Sequence, residues 1–187
     1  MNLACFPVQY QESYYKDVVE RKNEGLCKFA YWNGFVVGAA CARIEDITSP
    51  PGTTTTTTNG ANIVNGGATT TNENTDNSNA NTTDGPSNTT TDSRQRLYIM
   101  TLGVLAAYRG RSIGTQLIQT ILEYYEDNKD SDLLKNVEEI CLHVQISNED
   151  AIKFYTTRFG FVQGPMVENY YRRIDPPHCY LLYKKLK

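Results

Sequence analysis

The chain lacks any apolar run approaching the ~20 residues that cross a bilayer, so no membrane-spanning helix is expected. Its first residues, Met1-Asn2-Leu3-Ala4-Cys5-Phe6-Pro7, carry no basic region followed by an apolar stretch, so a secretory signal is not expected either. Cysteine is sparse: the five (Cys5, Cys27, Cys41, Cys141, Cys179) are odd in number and share no CxxC spacing. They read as reduced thiols of a cytoplasmic, or also nuclear, protein, with no disulfide frame and no metal site. The patterns GxxxxGK[ST] and GxGxxG are both absent, which removes P-loop and dinucleotide-fingerprint binding. A basic stripe is missing too, so neither nucleic acid nor a membrane is an expected partner.

What is present divides in two. From about Asp46 to Gln95 roughly half the residues are Thr or Asn, and large apolar side chains dwindle to Ile47, Ile63 and Val64. So little apolar area does not offset the ~1–2 kcal/mol per residue that ordering a backbone costs, and disorder is expected. The Asn-Thr-Thr sequons at Asn81 and Asn88 follow from this composition and are not expected to carry sugar. The tract holds five of the 21 acids and one of the 18 bases. The net charge of −3 therefore becomes an excess of one positive charge in the rest, and says nothing about a substrate. Closure entropy grows only logarithmically with length, so such an insertion is tolerated where its two ends already lie together. One domain over residues 1–187, interrupted at about 46–95, is the expected organisation.

Elsewhere the signals are periodic. Cys27 to Tyr31 and Phe35 to Ile44 flank Asn33-Gly34, a hairpin turn whose two positions favour φ > 0. Leu97 to Val104 reads as a strand. Ile113, Leu117, Ile118, Ile121, Leu122 and Tyr125 recur at helical spacing. From Glu139 to Gln145 the pattern alternates, with Ile140, Leu142 and Val144 on one side and Cys141, His143 and Gln145 on the other. Ser147-Asn148-Glu149-Asp150 precedes Ala151, Ile152, Phe154 and Tyr155 like a capped short helix. Phe161-Val162 and Cys179 to Tyr183 supply late strands. A strand–helix–strand unit between hairpins predicts a mixed α/β sheet, mostly antiparallel around a central parallel pair.

The most informative window is Arg109-Gly110-Arg111-Ser112-Ile113-Gly114-Thr115, between a strand and a helix. Unpaired amides and the positive end of the dipole at such a helix start favour a phosphate, although an ordinary basic helix N-terminus fits these residues equally. The window resembles the Arg/Gln-x-x-Gly-x-Gly/Ala signature of GCN5-related N-acetyltransferases, as Tyr155 before Phe159-Gly160-Phe161 resembles their Y-x-x-F-G-F segment. Phe6-Pro7-Val8, Tyr14-Tyr15-Lys16-Asp17-Val18, Arg96 to Gly103, Leu142 to Glu149 and Asn169-Tyr170-Tyr171 are similar, within that superfamily, to catalytic subunits of N-terminal acetyltransferase E.

The resemblance implies acetyl-CoA as co-substrate and the N-terminal amines of nascent or mature Met-starting polypeptides as acceptors. Other acetyltransferase subunits at the ribosome are implied partners. It implies contacts to CoA from Leu102, Gly103, Val104, the Arg109, Gly110, Arg111, Ser112, Ile113, Gly114, Thr115 loop, Asn148 and Tyr155. It implies a peptide site of Phe6, Pro7, Val8, Tyr10, Met100, Tyr170, Tyr171, Arg172, Arg173 and Ile174, and a catalytic pair, Tyr98 and His143, that holds a water. Tyr155 either protonates the departing thiolate or packs. An α-amine with pKa ≈ 7.7–8.0 is roughly a quarter neutral near pH 7.4, against ~0.1% for a lysine, so a His near 6.5 suffices as base. Acetylation of lysine or small amines, and a weakly active acyl-CoA-binding scaffold, are the rival readings.

Three departures from the family bear on these expectations. Ser112 replaces Gly: with φ < 0 its hydroxyl can cap the helix, and with φ > 0 CoA affinity should fall. The spacing from Tyr155 to Phe159 is one residue longer, which predicts a bulge. Only five residues precede Phe6, where the family carries a first strand and most of a helix, so an exposed sheet edge is expected.

Overall fold

The computed structural model describes residues 12–19, 25–47, 50–52 and 94–187. The elements are α1 (Glu12–Val19), β1 (Cys27–Trp32), β2 (Phe35–Asp46), β3 (Gln95–Val104), α2 (Ile113–Asn128), β4 (Val137–Gln145), α3 (Glu149–Phe159), β5 (Val162–Val167) and β6 (Cys179–Lys185). A six-stranded sheet runs in the order β1-β2-β3-β4-β6-β5, with β3 and β4 parallel and the neighbouring pairs antiparallel. This is the mixed sheet that the patterning predicts.

The β1–β2 turn takes positive φ at both Asn33 (48°) and Gly34 (83°), the conformation that lets a two-residue loop follow the strands' twist. Among the described residues β1 is an edge strand. Helix α2 buries Leu117, Ile118, Ile121 and Tyr125 against a core that includes Ala40, Ala42, Leu97 and Ile99. Small residues on β2 let the helix come close. A Cβ on Gly38 would stand 3.0 Å from Ile113 and 3.2 Å from Leu117, so this glycine sets the height of the helix start above the sheet.

Asp46 pairs with Gln95, and the Ile47 N–H donates to the Arg94 carbonyl at 3.0 Å. The two ends of the insertion thus lie together on neighbouring strands, as the closure argument requires. Residues 53–93 lie outside the described set, but Pro50, Pro51 and Gly52 do not: they are placed, and Gly52 is buried.

Three elements differ from expectation. Helix α1 has no counterpart in the periodic reading. Strand β5 extends well past Val162 through Gly164-Pro165, which break the pattern yet are tolerated next to a sheet edge, where β5 lies. The predicted bulge near Tyr155 is absent. Helix α3 is continuous and closes on Gly160 (φ 69°), whose N–H reaches the Thr156 carbonyl while the Phe161 N–H reaches that of Tyr155. The added residue lengthens the helix before its cap.

Candidate active site

Two adjoining cavities follow from how β3 parts from β4 while it stays paired with β2. The first, about 560 Å³, lies at the mouth of α2. Leu102, Gly103 and Val104 line it from the strand end, and Arg109, Gly110, Ser112, Ile113, Gly114 and Thr115 from the loop and first helical turn. The first amides of a helix have no partner within it, so donors collect at this mouth. Gly114 keeps its floor open, since a Cβ there would fill space between Phe154, Leu102 and Val104. Asn148 and Tyr155 form part of the far wall.

Arg111 does not belong to this cavity. Its guanidinium lies over the rings of Trp32 (5.3 Å) and Tyr108 (5.9 Å), a cation held on two aromatic faces beside the cavity. Arg109 does line the cavity and also braces the loop, Nε donating to the Val104 carbonyl at 3.1 Å. The sequence reading missed Tyr108, Asp150, Phe154 and Arg158, which also line the wall. Asp150, Phe154 and Arg158 recur every four residues on α3, so the helical period places them beside Tyr155 once that residue is assigned.

The second cavity, about 200 Å³, shares Leu102, Asn148, Ala151 and Tyr155 with the first. Parallel pairing of β3 with β4 ends at Tyr98–Cys141, and beyond it Ile99 to Leu102 and Leu142 to Gln145 line the wedge between the strands. A register shift at Cys41/Ala42 leaves Met100 out of the β2–β3 pairing, and such a bulge bends the strand away. Met100, His143, Tyr171 and Ile174 reach this wedge. Arg172 and Arg173 are exposed on the loop, outside both cavities. Phe6, Pro7, Val8 and Tyr10 lie outside the described residues.

At the closed end of the wedge Tyr98, His143 and Tyr170 meet. The Tyr98 hydroxyl is 3.1 Å from His143 Nδ1 and 3.1 Å from the Tyr170 hydroxyl, and the His143 and Tyr170 rings stack at 4.2 Å. Tyr98 and His143 therefore touch directly. Burial, then the charge of Arg96, pulls the imidazole down to about 4, far from the ordinary value that the sequence reading used. Burial, then Tyr170, holds the Tyr98 phenol well above 10, and burial pushes Tyr170 up to about 12. All three are neutral near pH 7.

This has a consequence for stability. Between the unfolded value of 6.5 and about 4 the unfolded chain binds a proton at His143 that the folded chain refuses. Stability accordingly falls as pH drops below 6.5, and the loss levels off near 4. In urea denaturation, wild type should lose about 2 kcal/mol more than His143→Gln between pH 7 and about 4.5; equal losses would mean that water reaches the imidazole.

Residues 1–161 match the family model described as "Acetyltransferase (GNAT) family". The chain belongs to that family. Drosophila melanogaster "Probable N-acetyltransferase san" is 34% identical over 187 residues, covering all of this chain and 73% of the relative. Danio rerio "N-alpha-acetyltransferase 50" is likewise 34% identical over 187 residues, with 80% of its own length covered. Arabidopsis thaliana Naa50 in complex with the bisubstrate analogue CoA-Ac-MVNAL superposes with a TM-score of 0.64 at 32% identity, covering 98% of this chain and 86% of that one.

For this GNAT acetyltransferase the Ser112 alternatives are decided by the backbone. Ser112 is left-handed (φ 59°, ψ 12°) and its side chain makes no cap bond. A left-handed non-glycine costs roughly 1–2 kcal/mol. Ser112→Gly should raise the melting temperature by about 2–6 °C and tighten CoA binding, measured by thermal denaturation and titration. An unchanged Tm would show that the loop relaxes around serine.

Proposed function

We propose that this acetyltransferase transfers the acetyl group of acetyl-CoA to the α-amine of polypeptides that begin with Met, followed by a bulky apolar residue. The observation that carries the reading is the continuity of the two cavities from the helix mouth to His143, with Tyr98 bonded behind it. The relative solved in complex with a bisubstrate analogue, CoA-Ac-MVNAL, whose peptide starts with Met supports the choice of acceptor.

In this reading the amides of Ile113 to Thr115 and the Leu102–Val104 strand end hold the pyrophosphate and pantetheine arm, with Asn148 and Tyr155 beside the thioester. The acceptor chain lies beyond it, against Met100, Tyr171 and Ile174. Apolar walls discriminate by only ~1–3 kcal/mol per methylene, which gives a graded preference among bulky second residues.

The amine reacts in its neutral form. Passing a proton from an amine near 8 to an imidazole near 4 would climb roughly 5 kcal/mol, so His143 does not deprotonate the free amine. The Tyr98–His143 pair serves once the new C–N bond leaves the nitrogen positively charged and acidic. The C–S bond then breaks, and the thiolate takes a proton.

The test is release of free CoA thiol with a Met-Leu peptide, run beside an N-terminally blocked peptide carrying a lysine. Turnover of the first and not the second is expected; equal turnover would make this a side-chain acetyltransferase. A weakly active acyl-CoA-binding subunit is the second reading, favoured by the left-handed Ser112 at the helix mouth. It predicts binding of CoA without turnover. In this reading the protein works in the cytoplasm or nucleus, with nascent chains and other acetyltransferase subunits as its partners.

A further inference from the structure

The Thr/Asn-rich tract reaches the reaction site at its root. Beyond β2 the chain doubles back, and exposure falls from Pro50, which is exposed, through half-buried Pro51 to buried Gly52. The Gly52 N–H donates to Glu45 Oε2 at 3.0 Å. That carboxylate is itself buried, and its other oxygen accepts Arg43 Nε at 2.8 Å. The contact is therefore a charge-assisted bond away from water, the kind that holds a backbone in one place.

Gly52 stands where a side chain would force its neighbours to shift. Its φ is +82°, and a Cβ would come within 2.8 Å of both the Tyr98 and the Tyr170 hydroxyl oxygens. Those oxygens are 3.1 Å apart, and that of Tyr98 is the one bonded to His143. Main chain pressed against two buried hydroxyls limits the room in which either could turn. A phenol has one stiff ring and one rotatable O–H, so confining its oxygen confines the direction of its bond to His143.

We infer that Gly52, anchored by Glu45, is a positioning residue for acetyl transfer: the root of the insertion is the floor on which the Tyr98–Tyr170 hydroxyl pair is set. The inference rests on the reading of Tyr98 and His143 as the proton-handling pair. It makes part of the tract a component of the site, although its composition marks it as a spacer.

The test uses the full chain and the Met-Leu peptide assay. Gly52→Ala should lower kcat by about tenfold or more while KM for acetyl-CoA stays within about twofold, because neither Gly52 nor the two tyrosines it meets lines the α2 mouth. Tyr170→Phe deletes one of the two atoms that the new methyl strikes. It should therefore cost at least about threefold less in the Gly52→Ala background than in wild type, a coupling that general loss of stability does not produce. Unchanged kcat in Gly52→Ala, or strictly multiplicative effects, would overturn the positioning role. Tyr98→Phe is run alongside: full activity in it removes the catalytic reading and this inference together, whereas impairment there with none in Gly52→Ala removes the inference alone. Should Gly52→Ala not fold, hydrogen exchange of the unmodified protein decides. A Gly52 amide exchanging at least about a hundredfold slower than an open chain supports the anchored floor, and exchange at the open-chain rate overturns it.

Discussion

Tyr98→Phe is expected to reduce kcat by about 100-fold, with KM for acetyl-CoA nearly unchanged. One oxygen is removed, and two interactions go with it, to His143 Nδ1 and to the Tyr170 hydroxyl. The imidazole is then left in a buried site without its partner, and the nitrogen that turns acidic on attack loses the hydroxyl that leads its proton onward. Positioned proton transfer contributes about 10²–10⁴-fold in enzymes generally, which sets the scale. The KM expectation follows from place: Tyr98 lines neither cavity, and the α2 mouth is untouched. His143→Ala should act in the same direction and to similar extent. The check is thiol release at saturating acetyl-CoA and Met-Leu peptide; wild-type rates in both variants would dismiss the pair as catalytic and leave it as packing.

The largest effect on stability should come from Glu45→Ala, at about 3–5 kcal/mol. Glu45 lies on β2 with 8% exposure, and Arg43 (8%) and Arg96 (3%) are equally enclosed. Its Oε1 accepts Arg43 at 2.8 and 2.6 Å; Oε2 accepts Arg96 at 3.4 Å and the Gly52 amide at 3.0 Å. Alanine would leave two buried guanidiniums without the carboxylate they share, and a buried amide without its acceptor. The penalty is that of deleting one member of a buried charge cluster and not the net worth of the ion pairs, which is small once desolvation is counted. Urea denaturation near pH 7 reads it directly as a lowered midpoint. A loss under about 1 kcal/mol would mean that water enters the cluster, as at an exposed pair.

The two expectations are linked through the strands. Arg43 lies 5.7 Å over the Tyr98 ring, and Arg96, two residues before Tyr98 on β3, helps to hold His143 neutral. The same buried charges that cluster at the end of the β2–β3 ladder thus shape the electrostatics of the reaction site. A Glu45 variant that still folds should change rate as well as stability.

Local patterning accounts for most of the fold. Asn33-Gly34 specifies its turn because both positions favour positive φ, and α2 is visible because its buried side chains repeat with the helical period. The unit β3–α2–β4 follows from a strand, a helix and a strand in succession, since a parallel pair needs such a crossover. Patterns of this kind need only near neighbours, so they survive in one dimension. Helix α1 was not legible for the converse reason: Glu12–Val19 spans only eight residues, too short for a periodic signal to stand out.

For the site, residue types and order determined a helix mouth rich in amides, a tyrosine and a histidine on adjacent strands, and an aromatic loop near the C-terminus. Tertiary structure decided what those residues face. Arg111 stacks on Trp32, from a distant hairpin, and on Tyr108 beside the mouth, while Arg158 lines the mouth from α3. Ser112 takes its left-handed backbone from the loop that closes onto α2, and His143 loses most of its basicity because the surrounding sheet and loop exclude water. Gly52 counts only because β2 turns it back onto two hydroxyls. Composition and period are properties of the chain taken in order, and they suffice for elements and their sequence. Charge, conformation and contact at the site depend on groups that only folding brings within a few ångströms of one another, and no spacing along the chain encodes that proximity.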